Sequence, residues 1–383
     1  MMSHETMLAR TQEVADRVLK PAARANDKEG RFSTEAIAAL GEAGLLGLML
    51  PAELGGSALG ARTFAAVTTA IASADASVAM IFVMHTLATG TIAAAKPREQ
   101  FKDILIEIAA GRHLSTLAFS EAGSRSHFWA PVSRARGDGH GEVHLTAKKS
   151  FVTSAGYAQS YVVSALSPGG AGITDTTLYL LPARSSGLSV AGWWDGMGMR
   201  ANASAPMVLE DCAISSNARL TEDGCGFQAM MEVVLPGFNL GSAAVALGLC
   251  RAAVAEVTTH LKTARFEHMG QTLGEALPTL RALLATMVIE TDGLSARIDD
   301  LVDHLERPRE TTLLRVLEAK AAAGETAISV TSAAMRACGG AAFSKHLAVE
   351  RLFRDAHAGA VMAPTVDVLR EFIGKAALGI PLF

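Results

Sequence analysis

Val349-Glu350-Arg351-Leu352-Phe353-Arg354-Asp355-Ala356 reads as part of a helix over His346 to Ala360, and the segments on either side of it define the fold of this end of the chain. Upstream, Leu240 to Phe266, Pro278 to His304 and Glu310 to Ala337 are long Ala- and Leu-rich helical stretches, the last followed by Cys338-Gly339-Gly340. Downstream, Met362-Ala363-Pro364-Thr365 leads into a final helix, with Pro364 in its first turn, where a missing N–H would be unpaired anyway. Long helices joined by short links make a bundle.

Further from this segment the texture changes. Between about Ser115 and Asn217, short β-favouring runs alternate with turn residues: Val143 and Leu145 after Gly137-Asp138-Gly139, then Tyr161-Val162-Val163, Leu178-Tyr179-Leu180-Leu181 and Met207-Val208-Leu209. Before them the chain is helical again. Phe32-Ser33-Thr34-Glu35 offers an N-cap, and Ile37, Leu40 and Leu45 recur at helical spacing until Pro51 and Gly55-Gly56 break the run. The order is helices, strands, then a helical bundle.

Composition narrows the function. A chain of 383 residues buries enough surface to need no disulfide or metal for its core. Its 34 basic and 38 acidic residues are scattered without long like-charge runs, which argues against a nucleic-acid partner. Cys212, Cys225, Cys250 and Cys338 are too far apart to clamp zinc or staple a secreted fold, and read as buried thiols in a reducing cytoplasm. Met1 to Glu13 lacks the apolar core of a signal peptide. Ala76 to Ala95 is long and uncharged enough for a membrane span, but its His, Ser, Thr and Gly residues favour a buried core helix, so no membrane association is expected.

Three local patterns carry little. Gly196 to Ala201 and Gly224 to Ala229 fit a G-x-G-x-x-A loop, but neither follows a strand in a β-α-β unit. His140 and His144 flank Glu142 with no third ligand nearby, which favours a solvated hairpin over a metal site. No G-x-S-x-G elbow supports a hydrolase.

What remains is a series of segments in order: Leu117 to His127, Lys149 to Ser154, Gly198-Met199-Arg200, Ala264 to Gly270, Cys338-Gly339-Gly340, and Val349 to Ala356. In that order the chain resembles the acyl-CoA dehydrogenase superfamily of FAD flavoproteins over nearly its whole length. Leu45-Leu46-Gly47 through Gly55-Gly56 is similar to the family's N-terminal helix pair and glycine turn. Ser120-Glu121 stands where the family has Thr-Glu, Phe151-Val152-Thr153 where it has Trp-Ile-Thr, and Val349 to Ala356 matches its Val-Glu-Arg-x-x-Arg-Asp-Ala run. The resemblance implies an α+β, mainly α, chain: an N-terminal helical domain over 1–114, a central small β-barrel domain over 115–222 and a C-terminal four-helix bundle over 223–383.

The resemblance also implies chemistry. Phe119, Ser120, Phe151, Val152 and Thr153 would line the flavin ring and tune it, while FAD carries the redox step. Arg265 would pair with the diphosphate of a flavin held mainly by a neighbouring subunit, and Gly339-Gly340 would let backbone approach its adenosine end. Thr365 matches a cofactor-contacting threonine. Ser126 would hydrogen-bond the substrate's phosphate or pantetheine, although the family's Gly-Ser-Asp reads Arg125-Ser126-His127 here. Implied partners are an acyl-CoA or acyl-carrier thioester, an acceptor flavoprotein or oxygen, and further copies of the chain in a homotetramer or homodimer.

One departure bears on the reaction. The family's usual base is a glutamate eight residues after the Arg-Asp pair, and counting from Asp355 that position is Ala363. The alternative family position falls on Met231. Glu232 is adjacent, but one residue turns a helix by about 100°. Asp367, four residues past Ala363, is the nearest acid on the usual stretch and the one candidate there for a catalytic base; a first-turn acid on a helix dipole is its plainer reading. The expected activity is Cα–Cβ desaturation of an acyl thioester, with a flavin monooxygenase or a non-catalytic acyl- or flavin-binding scaffold on the same fold as alternatives.

Overall fold

Ser33 caps its helix as the sequence predicts: its Oγ accepts from the Ala36 N–H at the start of Thr34–Glu42. The computed structural model describes residues 2–95, 98–137 and 142–382. Its N-terminal helices are α1 (His4–Val14), α2 (Lys20–Glu29), α3 (Thr34–Glu42), α4 (Ala61–Ala74), α5 (Ala76–Ala93) and α6 (Lys102–Ala109), with a π turn at Ala15–Leu19 between the first two. The Asp75 carboxylate caps α5 by accepting from the Ser77 and Val78 N–H groups. That helix is buried almost all round, packed on α4, on the first strand of the middle domain and on the first long bundle helix, as a charge-free core helix should be.

The middle domain comprises β1 (Ser115–Ala118), β2 (Arg136–Gly137), β3 (Glu142–Val152), β4 (Ser160–Leu166), β5 (Thr176–Pro182), β6 (Leu188–Val190) and β7 (Ala205–Ser215). They form two sheets, ordered β1-β4-β5 and β2-β3-β7-β6, rather than the closed barrel expected among these residues. Closure requires continuous pairing around the ring, whereas β2 and β6 are only two and three residues long, and the bridge from Glu121, beyond the end of β1, to Lys149 of β3 stays isolated. The Gly137-Asp138-Gly139 turn and His140 lie partly or wholly outside the described residues.

The C-terminal part begins with α7 (Gly226–Ala229), which runs through a π turn at Met230–Val234 into α8 (Leu235–Thr263). A hairpin, β8 (Arg265–Phe266) and β9 (Gln271–Thr272), and the short α9 (Leu273–Ala276) lead to α10 (Pro278–Glu306), α11 (Thr312–Phe343), α12 (Val349–Val361) and α13 (Val366–Leu378). Two expectations need correction here. Pro364 lies outside α13, because Thr365 is its N-cap and the helix starts at Val366. Cys225 is exposed, since it sits in the turn before α7, while the other three cysteines are buried.

The opening motif ties the domains together. Arg354 on α12 donates to both carboxylate oxygens of Asp27 on α2, at 2.9 and 2.6 Å, and to the Met197 carbonyl at 2.9 Å. The neighbouring Asp355 accepts from the Met199 N–H at 2.7 Å. Gly198 is required between them, since a Cβ there would lie 2.5 Å from the Arg354 carbonyl oxygen.

Asp355 is buried, and burial pushes its carboxyl up from 3.8 to about 7, against the pull of the Met199 N–H and Arg351. A carboxyl raised on folding contributes stability that is complete below its unfolded value and is lost as pH rises through the folded one. The stability difference between wild type and Asp355→Asn should therefore shrink by up to roughly 1.4 kcal/mol per pH unit between about pH 4 and 7. Urea midpoints across that range measure it; a difference independent of pH would remove Asp355 as the titrating group.

Candidate active site

β3 ends in a distortion. Its register on β7 shifts between Lys149 and Val152, and Phe151 and Ser154 adopt left-handed φ values of 54° and 61°. A bulge of this kind re-aims side chains. Val152 stays in the core at 1 % exposure, while Phe151 turns outward, 69 % exposed and edge-on to Trp194 with ring centroids 6.3 Å apart. Thr153 is buried, its hydroxyl 3.1 Å from that of Ser204. The strained turn is locked by the Ser154 N–H on the Asn202 carbonyl at 2.9 Å.

Beside this strand end is a cavity of about 600 Å³. Hydroxyl and amide groups of Ser120, Ser150, Thr153, Asn202 and Ser204 contribute to its lining, and the remainder is largely apolar, with Met80 and Met84 from α5, Leu117, Phe119 and Phe128, and Val234 and Phe238 from the bundle. The α12–α13 connection contributes Met362, Ala363 and Thr365. Thr365 is joined to the middle domain by Ser126, whose Oγ accepts the Thr365 N–H at 2.9 Å and lies 3.3 Å from its hydroxyl.

Among the described residues lining the cavity, Glu121 is the one carboxylate, and it is fully engaged. It accepts from Lys149 Nζ at 2.6 Å, from the Ser133 hydroxyl and N–H at 2.5 and 2.8 Å, and from the Val132 N–H at 3.0 Å. Burial alone would raise this carboxyl and lower the Lys149 ammonium; the Lys149 charge and the further donors outweigh it and hold Glu121 below its ordinary value. Glu121 is thus an anchored anion with no free lone pair directed at a substrate.

The cavity brings together Phe119, Ser120, Phe151, Thr153, Ser126 and Thr365, with Val152 packed behind. Arg265, at the start of the β8–β9 hairpin, and Gly339 and Gly340 are exposed and lie apart from its lining. Gly339 kinks α11 at φ 51°, ψ −130°, a conformation open to glycine alone. Asp367 is exposed in the first turn of α13 and does not line the cavity; Glu232 is exposed too, accepting from Gln228 at 2.8 Å. Sequence reasoning missed Met80, Met84, Asn202, Ser204, Val234 and Phe238. The Met80 and Met84 pair, one helical turn apart on an uncharged helix, was a readable signal; Asn202 and Ser204 enter only through the left-handed turn that carries them.

The residues present fit a flavin: the cavity is roomy, flanked by aromatic faces, and offers hydroxyls for a polar ring edge. Models of the acyl-CoA dehydrogenase N-terminal, middle and C-terminal domains match residues 2–112, 116–212 and 224–378. The mitochondrial short-chain specific acyl-CoA dehydrogenase of Bos taurus is 28% identical over 375 residues, covering 96% of this chain and 88% of its own. Butyryl-CoA dehydrogenase from Megasphaera elsdenii superposes with a TM-score of 0.92 at 23% identity, covering 99% of both chains. A chain from the structure reported for the electron transferring flavoprotein of Acidaminococcus fermentans gives the same TM-score of 0.92, also at 23% identity and 99% of both chains. Proteins of this kind are FAD-dependent oxidoreductases. With all three of its domains matched, this chain belongs to the acyl-CoA dehydrogenase family.

Proposed function

We propose that this chain is an FAD-dependent oxidoreductase acting on an acyl thioester, with Cα–Cβ oxidation as its nominal reaction. The observation that carries this reading is the cavity itself, in which hydroxyls from the two middle-domain motifs share one space with an apolar lining suited to an acyl chain. Bound FAD supplies a two-electron acceptor for a β-hydride. Ser120, Thr153 and Ser204 orient its ring, Ser126 and Thr365 hold the far side of the cavity, and Met80, Met84 and Phe238 exclude water from the acyl chain. The Glu121–Lys149 pair fixes the backbone on which Ser120 stands.

One observation favours a second reading. Counting from the Arg-Asp motif assigns the family's base position to Ala363, which lines the cavity, and the one acid among the described lining residues is neutralised by Lys149. Among the described lining residues, no free carboxylate or imidazole stands ready to accept an α-proton. Flavin-dependent oxygenation, in which O2 gives one oxygen atom to the substrate and the other leaves as water with electrons from a separate reductant, needs no such base. As in the family, we propose assembly into a homotetramer or homodimer, with Arg265 serving a neighbour's flavin, and a flavoprotein or oxygen as electron acceptor.

Anaerobic titration of the holoenzyme with a panel of acyl-CoAs, followed by flavin bleaching, tests the chemistry. Wild type should bleach slowly, and Ala363→Glu should accelerate bleaching by roughly 10²-fold or more, the usual worth of a positioned general base; no bleaching of the wild-type holoenzyme by any acyl-CoA would overturn the nominal reaction in favour of oxygenation. Rapid bleaching of wild type, unchanged by the substitution, would mean that a base operates from outside the cavity lining. Separately, Arg265→Ala should weaken FAD retention by about 1.5–3 kcal/mol, the scale of a hydrogen bond to a charged group. FAD affinity equal to wild type in the folded, assembled variant would return Arg265 to the solvated surface.

A further inference from the structure

Lys320 on α11 is a buried lysine, 1 % exposed, that meets three backbone carbonyls and, among the described residues, no carboxylate. Its Nζ donates to the carbonyls of Gly359, Met362 and Pro364 at 3.4, 3.0 and 2.6 Å, and sits 5.7 Å from the ring centroid of Phe238. Two of these carbonyls flank Ala363, and Met362, Ala363 and Phe238 all line the cavity. An ammonium has three N–H donors, so the set matches its full capacity. The acceptors close the C-terminal end of α12, where a positive charge is favoured by the helix dipole. Burial pushes the ammonium down to about 7; hydrogen bonds to carbonyl oxygens favour the charged form. The helices approach closely here: a Cβ on Gly324 of α11 would come 3.1 Å from Val366 Cγ2 and 3.4 Å from the Ala360 backbone.

We propose that Lys320 is a positioning residue for the active site, which clamps the Met362–Thr365 segment from behind while Ser126 holds it from the cavity side, so that this wall is set before any ligand enters. The clamp acts on the backbone on either side of Ala363. It thereby sets the shape of the cavity where the family places its proton acceptor, and any side chain installed at 363 inherits that placement. The ligand used below rests on the proposed acyl-thioester reading; the clamp does not.

The test compares Lys320→Met with Lys320→Gln, which have similar volumes but zero and two N–H donors. In the holoenzyme, amide hydrogen exchange in the peptide spanning Met362–Thr365 should rise at least tenfold in Lys320→Met and less in Lys320→Gln, with peptides of the middle-domain sheets unchanged. Acyl-CoA affinity, read from the perturbed flavin spectrum, should fall in the same order while FAD affinity stays at the wild-type value. Equal exchange in both variants, or wild-type protection in either, would overturn the clamp. Should Lys320→Met not fold, wild-type protection and acyl-CoA affinity in Lys320→Gln overturn it alone. A wild-type spectrum unmoved by any acyl-CoA would refute the substrate reading, and hydrogen exchange would then decide the clamp by itself.

Discussion

A buried ion pair, Lys149 on Glu121 at 2.6 Å, is the constraint around which this site is built. Both side chains are essentially inaccessible, so each charge is tolerable only because the other is present, and removing one partner from such a pair typically costs about 3–5 kcal/mol. The pair joins the segment carrying Ser120 to the strand carrying Phe151 and Thr153, and so fixes the spacing of two groups that face the cavity. The same contact that anchors the wall engages the one carboxylate among the described residues lining the cavity.

Around this anchor the chain stores strain. Arg125, Phe151, Ser154, Met199 and Ala203 all have positive φ near 50–61° without being glycine, and three of them, Arg125, Phe151 and Met199, line the cavity. Conformations of this kind persist only where surrounding contacts over-determine them. Those contacts are visible: the Ser154 N–H on Asn202, the Met199 N–H on Asp355, and the close seat of Gly198 on Arg354. The helix that carries Asp355 and Arg354 therefore supports the cavity through the middle domain, and through its own C-terminal end.

The helices, their order and the middle domain's place were legible in the sequence because they rest on periodicity, caps and turn residues. Ser126 and Thr365, singled out for separate contacts and 239 residues apart, prove to be hydrogen-bonded to each other, which no motif announced. Three things were not legible. Strand counts and β-runs do not reveal whether sheets close, and the two- and three-residue edge strands left this one open. The start of α13 falls at Val366, with Thr365 as N-cap, rather than at Pro364, a shift of two residues that propensity does not resolve. Lys320 gave no signal either, since a lysine in a helical pattern reads as a surface residue until its neighbours in space are known.

The central proposal is that the cavity binds an acyl thioester without offering a base for its α-carbon. The most direct measurement is exchange of the α-protons of a bound acyl-CoA with solvent deuterium, followed by NMR in the presence of oxidised holoenzyme. The account predicts exchange no faster than in buffer for wild type and clear exchange for Ala363→Glu. Rapid α-exchange by the wild-type enzyme would contradict it and require a proton acceptor at the cavity that this arrangement of residues does not supply.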